Sequence, residues 1–163
     1  MPETRRHAAI MFTDIEGYTS LMQTDENKGI AFRERHREVF DATTKKYSGR
    51  ILQYYGDGTL SIFDSAIDAV KCAIEMQRGF QTDPVIPVRI GIHTGDVIYD
   101  RNGVLGDGVN VAARVQALAT PGSILVSAKV ADEEGMKMVA RLFRAAAAAE
   151  HVHAQNHLKT MAG

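Results

Sequence analysis

Arg50-Ile-Leu-Gln-Tyr-Tyr-Gly-Asp-Gly-Thr-Leu-Ser-Ile-Phe63 alternates, reverses and alternates again. From Arg50 to Tyr55 the alternation puts Leu52 and Tyr54 on one side and Ile51, Gln53 and Tyr55 on the other. Gly56-Asp57-Gly58 makes a tight reversal. Thr59 to Phe63 then returns with Leu60 and Ile62 on one face and Thr59, Ser61 and Phe63 on the other, the pattern of a β-hairpin.

Working outward, Ala8 to Phe12 is an unbroken apolar run of central-strand length. Between it and the hairpin, Thr24 to Tyr47 reads as a helix with Phe32, His36, Val39, Thr43 and Tyr47 on one stripe. Asp25 and Glu26 suit its first turn, Lys45 and Lys46 its last, and Ser48-Gly49 its stop. Ser65 to Phe80 is a second amphipathic helix, with Ala66, Val70, Ala73, Ile74 and Gln77 aligned. Val88 to His93 alternates as a strand, and Gly95 to Tyr99 reads as its partner after a turn at Thr94 and Gly95.

Strand, helix, strand, strand, helix, strand is the ferredoxin-like βαββαβ order, an α+β fold with an antiparallel sheet and both helices on one face. The helices are expected to cover Leu52, Tyr54, Leu60, Ile62, Val88, Ile90 and Ile92. The opposite face, carrying Ile51, Gln53, Tyr55, Ser61, Phe63, Arg89, Gly91 and His93, is too apolar to stand wholly in water. A partner subunit, with a ligand between, is expected to cover it.

Downstream, Gly108 to Ala119 reads as a short helix ended by Thr120-Pro-Gly122, Ser123 to Val126 as an edge strand, and Ala128 onwards as helix. Residues 136–163, rich in Ala and His, lose apolar periodicity and read as a helical or disordered tail, beyond a domain placed at residues 1–135.

Bulk properties exclude several classes. The 163 residues, 45% apolar with no Trp, allow one core. A formal charge of -1 announces neither a nucleic-acid surface nor a membrane-surface helix. The single cysteine, Cys72, cannot make an intrachain disulfide and falls in an apolar pattern, which suits a buried thiol in a reducing, cytoplasmic setting. The apolar run before Thr13 is too short for a signal segment or a membrane span, although a longer parent protein could add a regulatory domain.

Chemistry concentrates at two acids. Asp14 ends the first apolar strand and Asp57 tips the hairpin, and in the ferredoxin-like order those strands are neighbours, so the two carboxylates can meet at one sheet edge. Adjacent carboxylates repel unless protonated or neutralised, and oxygen-only ligands suit Mg²⁺ or Mn²⁺. With backbone N–H groups nearby and no Cys/His cluster, such a pair suits phosphate chemistry with two ions. Asn110 and Arg114, four apart on the short helix, can present an amide and a guanidinium together, with Val111, Val115 and Leu118 on the other side. Glu16 reads as solvent-exposed, Arg89 as a dimer salt bridge, and His93 as a hydrogen-bonded strand-end residue. His151, His153 and His157 are given no catalytic role, and Gly103 to Gly108 lacks the ending of a P-loop.

Five blocks, Phe12-Thr-Asp-Ile-Glu-Gly-Tyr-Thr19, Tyr55-Gly-Asp-Gly58, Arg89-Ile-Gly-Ile-His-Thr-Gly95, Gly106-Asp-Gly-Val-Asn-Val-Ala-Ala-Arg114 and Pro121-Gly-Ser-Ile-Leu-Val-Ser127, stand in an order and spacing that resemble the catalytic domain of class III nucleotidyl cyclases. The likeness spans about residues 5 to 135. It implies a head-to-tail homodimer that turns a nucleoside triphosphate, ATP as first choice, into a 3′,5′-cyclic nucleotide and pyrophosphate at composite sites. By this resemblance Asp14, Ile15 and Asp57 of one subunit form a site for two Mg²⁺ or Mn²⁺ ions. Phe12, Ile15, Glu16, Gly17, Tyr18 and Thr19 line the nucleotide, backbone groups around Ile15 to Tyr18 receiving phosphates. Asn110 and Arg114 of the other subunit position the ribose and counter charge at the α-phosphate. No nucleic acid or membrane partner is implied.

The base-selecting positions depart from the family pattern. Gln53 stands where purine cyclases carry Lys or Glu, and Gly103 where an Asp is usual, so discrimination by charge is missing. Tyr54 or Tyr55 could narrow a base pocket. The family's C-terminal strand pair, which supplies a phosphate-binding Lys, is altered or missing in the sequence after Met136, and Lys159 is a poor substitute on spacing. Two further readings stay open: a nucleotide-binding dimerisation module with little or no turnover, and a cyclase acting on GTP or a pyrimidine triphosphate.

Overall fold

The computed structural model describes residues 3–134, and the expected tail at 136–163 lies outside them. The apolar run near the start of the chain is the middle of a long strand, β1 (Thr4–Ile15). It is followed by a short helix α1 (Tyr18–Thr24), helix α2 (Glu26–Lys46), the hairpin strands β2 (Arg50–Tyr54) and β3 (Gly58–Phe63), and helix α3 (Ala66–Phe80). Strand β4 (Val88–Asp100), strand β5 (Gly103–Leu105), helix α4 (Asp107–Leu118), strand β6 (Ile124–Val126) and helix α5 (Ala128–Glu134) complete the described chain.

Strand order is β2-β3-β1-β4-β5, with β6 parallel to β4 and every other pair antiparallel. The first four strands and the two long helices are the ferredoxin-like core read from the sequence. The helix signals hold with small shifts. The Asp25 side chain accepts from the Lys28 N–H at 3.1 Å and so caps α2, rather than sitting in its first turn. The helix expected from Thr24 begins at Glu26, and Tyr18–Thr24 form the separate α1. Ser65 caps α3 by accepting from the Asp68 N–H.

Helices α2 and α3 cover one face of the sheet, where Phe40, Phe63, Phe80, Met11, Val88, Ile90 and Ile92 are buried together. The expectation for β4 holds, but that for the hairpin is inverted. Register pairs Met11 with Ser61, Ala9 with Phe63, Ile10 with Ile62 and Phe12 with Leu60, and paired residues point to the same side. Phe63 and Ile51 therefore face the helices, while Leu60, Ile62 and Leu52 face away. Every residue of β3 is buried, so both of its faces are core and alternation alone does not say which is which. A bulge between Ile51 and Gln53 then returns Tyr54 to the helix side, where its hydroxyl donates to Asp41 of α2 at 2.6 Å.

The second sheet face also differs from expectation, because the chain's own α4 covers much of it. Val109 and Ala112 pack on Ala8, Ile10, Leu60, Ile62, Val97 and Tyr99. The seat is made by Gly91, where a Cβ would stand 2.3 Å from the Gln116 backbone nitrogen. The turn expected at Thr94 and Gly95 is absent: both continue the ladder with β1, and the chain reverses instead after Asp100, whose carboxylate accepts from the Asn102 N–H at 2.6 Å. Gly95 serves the close approach of Gly108 on α4, at 3.1 Å from its notional Cβ, rather than a bend.

Candidate active site

Asp14 lies one residue before the end of β1, paired on one side with Gly58 and on the other with Arg89. Gly58 has no room for a side chain, since a Cβ would meet the Thr13 carbonyl oxygen at 2.4 Å, and this closeness brings the hairpin turn against β1. The Ile15 N–H donates to the Asp57 carbonyl at 2.9 Å and closes the junction. The two acids predicted from sequence are thus brought to one edge of the sheet. Burial pushes the Asp57 carboxyl above its usual range and the charge on Asp14 pushes it further, opposed by its own backbone N–H and by Arg89.

Arg89, expected at a dimer salt bridge, is engaged within the chain. Its Nε donates to Asp14 Oδ1 at 2.9 Å and its Nη2 to Asp14 Oδ2 at 2.7 Å, a two-pronged pair with both side chains about one-fifth exposed. Its Nη1 reaches the Ala117 carbonyl of α4 at 3.3 Å. The hydrogen bond to Asp14 raises the already high guanidinium pKa, and the charges of Asp14, Glu16 and Asp57 add to it.

Behind the acids, on the helix side, runs a buried polar chain that sequence reading missed. His36 Nε2 lies 2.8 Å from Thr13 Oγ1, which lies 2.5 Å from Thr59 Oγ1. All three residues are buried. Burial is the main cause that pushes the imidazole down to about 4, with Asp14 opposing and Arg37 assisting. The signal in the sequence was His36 on the apolar stripe of α2, but its partner could be named only once the register of β1 was known. Next along α2, Arg37 donates to the Tyr55 carbonyl at 3.3 Å, so the helix also grips the hairpin turn.

The remaining predicted positions distribute around this edge. Phe12, half-buried, stacks on Tyr55 with ring centroids 5.9 Å apart. Gln53 is exposed and pairs with Leu60, on the same side as Phe12. Ile15 is a core side chain, so only its backbone is free for ligation, and its N–H is already taken by Asp57. The Glu16 N–H likewise donates to the Pro87 carbonyl at 2.8 Å, so of the backbone groups expected to receive phosphates around Ile15 to Tyr18 these two N–H groups are engaged within the chain. Glu16 and Thr19 are exposed, Gly17 opens α1 in the left-handed region at φ 71°, and Tyr18 packs against the helix-side core.

Asn110 and Arg114 stand exposed on one row of α4, and Leu118, expected on the opposite side, continues that row at 60% exposure. Among the described residues neither hydrogen-bonds nor pairs with Asp14 or Asp57. Gly103, paired with Asp100, is half-buried in β5. His93 Nδ1 lies 2.7 Å from the Ser127 hydroxyl, within β4 rather than at its end.

The oxygen-only donors of the acid pair suit a hard divalent cation, whose charge would offset the burial that lifts Asp57 and the lesser push from Asp14. Among the described residues no group of three or more His, Cys, Asp or Glu side chains could hold a metal ion. Further ligands would be backbone, water or substrate oxygens. Nor is any described helix long and apolar enough to cross a membrane.

Comparison with known proteins shows the family of the chain. Residues 1–150 match the profile of the adenylate and guanylate cyclase catalytic domain, and the chain belongs to that family. It is 39% identical over 131 residues to putative adenylate cyclase 3 of Rhizobium meliloti (strain 1021), the match covering 76% of this chain and 22% of that protein. An adenylate cyclase of Anabaena cylindrica is 31% identical over 69% of this chain and 27% of its own length. The chain thus spans about a quarter of these relatives. Among solved structures, an adenylate/guanylate cyclase/hydrolase from Silicibacter pomeroyi is 35% identical with a TM-score of 0.74, covering 83% of this chain and 84% of that one.

Proposed function

We propose that this domain converts a nucleoside triphosphate, ATP before others, into a 3′,5′-cyclic nucleotide and pyrophosphate, at sites shared by two head-to-tail copies. The observation that carries the reading is the convergence of Asp14 and Asp57 at one sheet edge through the Ile15–Asp57 hydrogen bond, while Asn110 and Arg114 stand exposed on α4. Two Mg²⁺ or Mn²⁺ ions held by Asp14 and Asp57, with the Ile15 backbone alongside, would supply charge neutralisation at the attacking and leaving oxygens.

The residues of the chain supply position and field. The ribose 3′-oxygen attacks the α-phosphorus of the same molecule, so the protein must bend and hold the nucleotide rather than offer a covalent group. Asn110 from the second copy orients the ribose, and Arg114 stabilises charge gathering on the α-phosphoryl oxygens. Glu16, Gly17 and the first residues of α1, Tyr18 and Thr19, border the phosphates. Tyr55 and Gln53, on the face of Phe12, border the base, and Tyr54 does not because it turns to α2.

Incubating the purified chain with ATP, GTP, CTP or UTP plus Mn²⁺ and identifying products by mass tests this. A cyclic product, largest from ATP, is expected. Gln53 and Gly103 favour a second reading, a nucleotide-binding dimerisation module, and absence of cyclic product from all four triphosphates would favour it over the first.

A further inference from the structure

The two prongs of Arg89 use both oxygens of Asp14, one hydrogen bond to each, at 2.9 and 2.7 Å. This is not a loose surface contact. The guanidinium is fixed at a third point by the Ala117 carbonyl, and the negative charges of Asp14, Glu16 and Asp57 all act on it. A planar fork binding both carboxylate oxygens takes one lone pair of each, so a divalent cation at about 2.1 Å on the remaining lone pairs would share the carboxylate with a full positive charge held beside it. Two cations sharing one carboxylate at that range repel, and a partly buried site screens the repulsion poorly.

We propose that Arg89 is the resident counter-cation of Asp14, and that a divalent ion gains this carboxylate only by displacing the guanidinium. The inference rests on the reading of Asp14 and Asp57 as metal ligands. Arg89 is then a positioning residue that holds Asp14 in place before the ion arrives. Because its third hydrogen bond ends on α4, the exchange also breaks one contact to the helix that carries Asn110 and Arg114.

Binding of Mn²⁺ alone, without nucleotide, tests this through the electron paramagnetic resonance signal of the free aqueous ion. The comparison uses the wild type, Arg89→Gln, Arg89→Lys, Asp14→Asn and the Asp14→Asn/Arg89→Gln double variant, each checked for folding by near-ultraviolet circular dichroism. Arg89→Gln is expected to bind Mn²⁺ roughly tenfold tighter than the wild type, for loss of one neighbouring unit charge and its hydrogen bonds. Arg89→Lys, which keeps the charge but not the fork, should fall between, and the double variant should lose the gain.

Wild-type or weaker affinity in Arg89→Gln, with Asp14 still required for binding, overturns the exchange and leaves the metal-site reading standing. Should Arg89→Gln fail to fold, Arg89→Lys decides the matter in its place: affinity above that of the wild type upholds the exchange, and affinity at or below it overturns the exchange. Mn²⁺ binding indifferent to Asp14 overturns both readings.

Discussion

His36 gives the sharpest test of how the site is built, because its ring is buried and lies 5.5 Å from Phe80 and 6.3 Å from Phe40 by centroids. The imidazole is pushed down to about 4 from an ordinary value of 6.5. A depressed folded pKa means that the unfolded chain takes up a proton which the folded chain refuses. The stability His36 contributes is therefore complete above about pH 6.5 and is lost as the pH falls through about 4. The difference between those two values corresponds to about 3 kcal/mol, a large share of a typical domain's 5–15 kcal/mol. Urea unfolding from pH 7.5 to 4, in chelator, should show the wild type losing roughly this much more stability than His36→Gln, whose amide retains a hydrogen bond to Thr13 without a titrating group. Parallel pH curves for the two proteins would refute a buried, neutral His36.

Gly91→Ala should cost about 1–3 kcal/mol in chemical unfolding, because the added carbon meets the Gln116 backbone of α4 rather than a movable side chain; an unchanged midpoint would contradict the docking of α4. Cys72 is fully buried and its thiol is pushed up to about 12, mainly by burial, so Ellman's reagent at pH 8 should find no thiol in the native protein and one after denaturation. Tyr54→Phe should leave the ratio of cyclic products from ATP and GTP unchanged, since its hydroxyl faces Asp41, whereas Tyr55→Ala should shift it; product analysis by mass distinguishes the two.

The hairpin, the two long helices and the converging acids were legible because each depends on local pattern or chain order. Asp57 announces itself in a Gly-Asp-Gly reversal, and Asp14 by ending an apolar run. What could not be read depends on register. Phe63 and Leu60 look alike in a strand buried on both faces, so alternation alone does not say which of them meets the helices. Thr94 and Gly95 look like a turn, yet the glycine is there for the approach of α4. Arg89 lies 75 residues from Asp14, and only the alignment of β1 with β4 shows that the two face each other. The helical period puts His36 on its stripe, while the hydroxyl that satisfies it belongs to another element.

Central to the account is a site whose acids and whose amide and guanidinium come from different copies of the chain. Asp14→Asn and Arg114→Ala, each inactive alone, should on mixing and subunit exchange recover about a quarter of wild-type cyclase activity, since half of the dimers are mixed and each of those retains one intact site of two. No recovery, with mixed dimers demonstrated by native mass spectrometry, would contradict it.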